Sequence, residues 1–168
     1  MLEQPGFWIA IVGATASLVG LFVVVRKIER NRREVKINQV TAIEHPVLGT
    51  LTYDAGVEAW RCSYEPGSFG FLIAGVSEPD ARLVDHAVDL KENAAEFLAV
   101  VKSFLVGEAS QQPQWSDEIR RLTLQEVCLF WPARPNDGML YFATENETGR
   151  VWRADYVDRT PVGLGFDS

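Results

Sequence analysis

The carboxylates of one predicted helix have the spacing of a functional surface. Asp85, Asp89, Glu92 and Glu96 follow one another at intervals of three or four residues. Residues at this spacing lie on one side of an α-helix, so they form an acidic stripe. Like charges at such intervals repel each other weakly. The stripe therefore has two interpretations, a solvated helix face tempered by nearby cations or a docking surface for a basic partner.

A second candidate surface lies near the C-terminus, where charged and aromatic residues alternate from 150 to 159. Strand alternation places Arg153 and Asp155 on one face and Tyr156 on the other. Pairing of arginine with aspartate across neighbouring strands is one interpretation. The other is a recognition patch, in which Arg153, Asp155, Tyr156 and Asp158 bind a partner protein.

The sequence predicts no catalytic residue, metal site or cofactor. His45 lies in a Pro-Gly turn and His86 on a helix, and two histidines suggest neither a metal site nor a Ser-His-Asp set. The glycines of segment 163–165 open no helix and so do not form a phosphate loop. Cys62 and Cys128 are far apart in apolar surroundings, which predicts buried, reduced thiols. We therefore expect binding rather than catalysis.

The distribution of charge argues against a nucleic-acid partner. Residues 37–168 contain ten Lys/Arg and twenty Asp/Glu, a net charge of −10, whereas residues 1–36 have a net charge of +3. Binding to phosphates requires clustered cations, which the acidic part lacks. Its charge is compatible with a basic protein partner or with simple solubility.

The N-terminal region predicts a single transmembrane helix at 7–25, a segment without charged residues. At about 1.5 Å per residue it spans roughly 28 Å, close to the thickness of the bilayer core. Residues 1–6 lack the positive charge of a signal peptide, so cleavage is the weaker interpretation. Basic residues in the juxtamembrane segment 26–36 predict a single-pass membrane protein, with the short N-terminus 1–6 outside and residues 37–168 as a cytoplasmic domain.

The predicted anchor has two surfaces of its own. Small residues at four-residue spacing predict a homodimerisation face, although such residues are common in membrane helices anyway. This face consists of Gly13, Ala16, Ser17 and Gly20. A basic cluster is predicted to face anionic lipid headgroups, or to act only as a topology signal. This cluster consists of Arg26, Lys27, Arg30, Arg32 and Arg33.

The spacing of apolar residues along the chain predicts the strands and helices that position these candidate residues. Alternating segments with turns at 45–49 and 65–68 predict strands before residue 77. From 80 to about 107 the apolar residues have helical spacing, and alternation returns from 122 onward. This order predicts an α+β fold, an antiparallel sheet with one long packed helix, preceded by a single transmembrane helix.

The chain from His45 onward resembles a bacterial domain of unknown function. The resemblance rests on His-Pro-x-x-Gly-x-Leu-x-Tyr at 45–53, on Trp60, on Leu-x-Leu-x-x-Val at 122–127 and on Gly-Leu-Gly-Phe at 163–166. Some members of that family resemble immunity proteins found beside bacterial toxins. The resemblance therefore implies protein binding rather than catalysis, and it transfers no catalytic residue. Together with the predicted anchor, it implies a location at the bacterial inner membrane.

Two classes of function follow from these observations. The leading hypothesis is a membrane-anchored, non-enzymatic protein-interaction domain, immunity-like in character. The alternative is a membrane-tethered hydrolase that uses carboxylates near the C-terminal strands, which requires a pocket with at least two convergent acids. A structural subunit of a membrane complex is a further alternative.

Overall fold

The computed structural model describes residues 42–62, 68–144 and 150–167, which form one eight-stranded sheet in sequence order. The strands are β1 (Ala42–His45), β2 (Gly49–Asp54), β3 (Ala59–Cys62), β4 (Gly70–Ala74), β5 (Thr123–Leu129), β6 (Gly138–Ala143), β7 (Val151–Val157) and β8 (Thr160–Asp167). The helices are α1 (Ala81–Glu92), α2 (Ala94–Gln111) and α3 (Ser116–Ile119), with a 3-10 turn at Pro113–Trp115.

Local bonds close the turns between antiparallel strands. The Nδ1 atom of His45 accepts hydrogen bonds from the backbone N–H groups of Val47 at 3.3 Å and Leu48 at 3.2 Å, which closes the turn from β1 to β2. Between β7 and β8, Asp158 and Arg159 have φ angles of +45° and +66°. Two successive residues with positive φ match the twist of a two-residue hairpin.

The sheet has an antiparallel half on each side of one parallel pair. β4 and β5 run parallel, in a register from Gly70 opposite Glu126 to Ile73 opposite Leu129. The other neighbouring pairs among the described strands are antiparallel. Parallel neighbours need a long crossover connection, which α1, α2 and α3 provide. These helices cover one face of the sheet.

The main core lies between the helices and that face. Strand β7 alternates as predicted, since Trp152, Ala154 and Tyr156 are buried and the residues between them are exposed. Burial of a large apolar side chain contributes roughly 1.5–3 kcal/mol to the stability of the fold. These buried side chains therefore fix which face of β7 packs against the core. The largest fully buried side chains are Trp60, Trp152, Tyr156, Phe69, Phe71, Leu51, Ile73, Leu83, Ile119, Leu129, Leu140 and Val127.

The fold class predicted from the sequence is wrong, because the described domain is a sheet-dominated fold with three short helices rather than one long one. The predicted helix is divided at Asn93, whose φ and ψ are −103° and 29°. The Asn93 side chain donates to the backbone oxygen of Asp89 at 3.0 Å and to its Oδ1 at 3.1 Å. This competition with the helical backbone ends α1, although the apolar spacing continues through it. The sheet also contains a parallel pair that alternation could not reveal.

The predicted transmembrane helix at 7–25 lies outside the described residues, as do segments 1–6 and 26–36 and the predicted domain boundary at residue 37. Within the ranges that the structure describes, no helix combines the length and apolar character needed to cross a membrane. The described part of the chain is thus the sheet and the helices that cover it.

Candidate functional site

The two partner-binding surfaces predicted from the sequence meet in the fold. The guanidinium group of Arg159, in the turn between β7 and β8, donates to Oδ2 of Asp89 on α1. The side chains of Asp89 and Arg159 are 40% and 53% exposed, so this contact is accessible from solvent. Asp85 lies one helical turn before Asp89, and Asp158 precedes Arg159. We call Asp85, Asp89, Asp158 and Arg159 the acidic surface.

A pair of buried polar rings lies next to the acidic surface. His86 is 4% exposed and Tyr156 is fully buried, and their rings are stacked with centroids 5.9 Å apart. Among the described residues, neither ring nitrogen of His86 nor the hydroxyl group of Tyr156 has a hydrogen-bond partner. Tyr156 therefore belongs to the core and cannot itself contact a partner protein.

The environment keeps both rings uncharged near neutral pH. Burial lowers the pKa of His86, the charge of Arg159 lowers it further, and Asp89 opposes the shift. Burial raises the pKa of Tyr156 to about 12, although Arg159 lowers it. Because Arg159 and Asp89 act on both rings, the acidic surface and the buried pair form one electrostatic unit.

The other predicted partner-binding residues are distributed over different parts of the surface. Glu92 ends α1 and Glu96 begins the exposed side of α2, so the break between the helices divides the acidic stripe. Arg153 and Asp155 are exposed on the sheet face opposite the helices. Arg153 forms an ion pair with Asp167 on the neighbouring strand at 3.3 Å, as the strand-pairing interpretation predicts.

The cysteines are confirmed as buried free thiols. The Sγ atom of Cys62 donates to the carbonyl oxygen of Leu48 at 2.8 Å. Burial raises the pKa of Cys62 and of Cys128, so both remain protonated and poorly nucleophilic. Over 42–62, 68–144 and 150–167, no group of three or more His, Cys, Asp or Glu side chains could hold a metal ion.

A groove of about 600 Å³ lies between α2 and the beginning of β5. On α2, Leu98, Lys102 and Val106 follow one another at four-residue spacing and line it. Eight residues of helix measure about 12 Å, so the groove follows roughly two turns of α2. Its lining residues are Ser68, Leu98, Val101, Lys102, Leu105, Val106, Arg120, Leu122, Thr123, Leu124 and Gln125.

The helical spacing of the apolar residues did not reveal this groove, because spacing alone does not show which of them the core covers. Val101 and Leu105 are indeed buried, but Leu98 and Val106 are 37% and 57% exposed. The sequence does contain an indication of a second apolar surface, since apolar residues of segment 94–111 fall on more than one side of the helix. A helix with this pattern needs more than one packing partner.

Two cations line the groove, Lys102 and Arg120. Lys102 and Arg120 have no carboxylate partner in the part of the chain that the structure describes. Arg121 and Lys91 are likewise unpaired there. The other described arginines all form ion pairs, namely Arg61, Arg82, Arg134, Arg150, Arg153 and Arg159. The groove is thus a place where positive charge remains available.

Comparison of the chain with known proteins finds no matching family model, no matching curated protein and no matching solved structure. The resemblance to a bacterial domain of unknown function therefore stays a prediction. The features of the described domain that bear on function are the acidic surface, the buried ring pair and the groove.

The surfaces predicted for the membrane anchor lie outside the described residues. They are the homodimerisation face at Gly13, Ala16, Ser17 and Gly20, and the lipid-facing basic cluster at Arg26, Lys27, Arg30, Arg32 and Arg33. Both stay predictions from the sequence.

Proposed function

We propose that the domain is a protein-recognition module and that the acidic surface binds a basic segment of its partner. The observation that carries the proposal is the contact between Arg159 and Asp89, which joins the acids of α1 to the turn between β7 and β8. The net charge of −10 over residues 37–168 supports it as well. A field of one sign accelerates association with a partner of the opposite sign.

The ion pairing within the acidic surface leaves its carboxylates able to bind cations of a partner protein. Asp85 and Asp158 form no ion pair with any described residue, so their carboxylates can accept bonds from a lysine or an arginine. Asp89 is already held by Arg159, but an exposed ion pair contributes only about 0–1 kcal/mol. An arginine from the partner can therefore replace Arg159 at Asp89 with little loss of stability.

The buried ring pair restricts the motion of the residues that form the acidic surface. His86 is on the same helix as Asp85 and Asp89, and it packs on Tyr156, which leads directly into the hairpin turn. Fixed side chains lose less entropy on binding, which raises affinity. The immunity-like resemblance implies a bacterial toxin as the partner class, and the charge of the acidic surface favours a toxin with a basic segment. The inner-membrane location remains a prediction from the sequence.

The test is differential purification of the full-length chain, in mild detergent, from its own cells. The wild type is compared with Asp85→Lys/Asp158→Lys, and with Asp117→Lys, an exposed acid of α3, as the matched control. We expect a basic protein that the wild type and the control retain, that the double variant loses and that high salt releases. Equal retention by all three chains would exclude the acidic surface as the binding site.

A further inference from the structure

We propose a second site, the groove between α2 and β5, which binds an acidic amphipathic helix of a partner protein. The inference rests on the proposed function, because it assumes a protein-recognition module. It concerns a different surface and the opposite charge, however, so the two proposals fail separately.

The apolar part of the groove has the spacing that a helix recognises. Leu98 and Val106 are exposed on α2, and Leu122 and Leu124 are buried, at 7% exposure each, on the opposite wall. An amphipathic helix places apolar residues at three- and four-residue intervals into a groove of this kind. The length of about 12 Å matches two turns of such a helix.

The charge of the groove selects an acidic occupant. Lys102 lies between Leu98 and Val106 on the same side of α2, and Arg120 lies at the opposite wall. Neither cation forms an ion pair within the described residues. Elsewhere the excess of carboxylates repels an acidic segment. The partner helix should therefore carry Asp or Glu beside its apolar anchors, where a carboxylate accepts bonds from these cations.

The shape of the groove favours a helix over a small anionic amphiphile. Sites for small ligands enclose most of the surface of the ligand. Val106 is 57% exposed at one end of the groove and Leu98 is 37% exposed, so the groove is open along α2. An open apolar strip of this kind is typical of a surface that another protein covers.

The test is selection of helix-forming peptides from a randomised library on the full-length chain in mild detergent, followed by fluorescence anisotropy. We expect acidic amphipathic peptides whose affinity falls roughly tenfold in Arg120→Glu and in Lys102→Glu. Arg121→Glu is the matched control, because Arg121 is a neighbouring unpaired arginine that does not line the groove. A peptide in which lysine replaces the acid should regain binding to Arg120→Glu. Thermal unfolding confirms that each variant is folded.

Several results would overturn the inference. They are selection of neutral or basic peptides, absence of any binding peptide, an equal loss of affinity in Arg121→Glu, or displacement of every peptide by a long-chain carboxylate. Asp85→Lys/Asp158→Lys separates the two proposals. If this variant loses its native partner but keeps the peptide, both stand. If it loses the peptide while Arg120→Glu keeps it, the groove is excluded and the acidic surface remains.

Discussion

The indole Nε1–H of Trp152 on β7 donates to Oε1 of Glu118 on α3 at 2.8 Å. The other oxygen of the same carboxylate binds Arg150 at 2.8 Å. The guanidinium group of Arg150 in turn lies 4.3 Å from the ring centroid of Trp115 and 5.3 Å from that of Phe166. One carboxylate thus connects the last two strands to the end of the helical layer.

Glu118→Ala should destabilise the domain by about 2–3 kcal/mol, because it leaves the buried indole N–H and the partly buried guanidinium without this acceptor. Urea unfolding followed by circular dichroism measures the change. Asp117→Ala, at the neighbouring exposed position of α3, is the control and should cost no more than about 0.5 kcal/mol. An equal effect of the two substitutions would mean that the carboxylate network contributes little.

Tyr156→Phe should stabilise the domain by about 1 kcal/mol, since it removes a buried hydroxyl group that has no hydrogen-bond partner among the described residues. The ring, and its stacking on His86, is preserved. The midpoint of urea unfolding reports the gain, and the same variant should still bind the partner of the acidic surface. A loss of stability would show that the hydroxyl group has a partner in solution.

The sequence predicted the structure well where the local periodicity of apolar residues determines it. It did not predict contacts between residues that are far apart in the chain. The alternation of β7 predicted correctly that Arg153 and Asp155 lie on one face and Tyr156 on the other. Alternation could not show that Tyr156 is covered by a helix, because it separates the two faces of a strand without showing which face packs against other elements.

Contacts over long separations account for the rest. Asp89 and Arg159 are seventy residues apart, and their contact depends on how the helices return to the sheet. The break at Asn93 depends on a competition between side-chain and backbone bonds that apolar periodicity does not report. Prediction of the groove would depend on which side of α2 faces the core, and the sequence alone does not show this.

His86 should make stability depend on pH. Its folded pKa is lowered from 6.5, mainly by burial and then by Arg159, with Asp89 opposing. Below pH 6.5 the unfolded chain therefore binds more protons than the folded one, and stability falls as pH decreases, by at most about 1.4 kcal/mol per pH unit. Tyr156, the other titratable group that packs on His86, remains neutral throughout this range.

Denaturant unfolding at pH 7.5, 6.5, 5.5 and 5.0 would measure this dependence. His86→Leu should reduce the loss of stability between pH 6.5 and 5.5, because the leucine side chain binds no proton. Tyr156→Phe keeps the imidazole and should retain the full dependence. If the profiles of the wild type and His86→Leu were parallel, the pH dependence would have to originate elsewhere.

Gly75 and Gly107 provide a matched pair of substitutions with opposite expected signs. A Cβ atom at Gly75, where φ is +155°, would lie 2.0 Å from the carbonyl oxygen of Glu78 and 2.8 Å from the Cα of Pro79. The backbone there cannot easily move away, because the Asp80 N–H donates to the Ala74 oxygen at 2.9 Å and closes this turn. Gly75→Ala should therefore destabilise the domain by at least about 3 kcal/mol.

At Gly107, inside α2, an added Cβ atom would meet no other atom within 4 Å. Gly107→Ala should stabilise the domain by about 0.5–1 kcal/mol, because alanine loses less backbone entropy than glycine on entering a helix. Urea unfolding of both variants gives the comparison. If Gly75→Ala were tolerated as well as Gly107→Ala, the turn before α1 would have to be able to open and make room for the added Cβ atom.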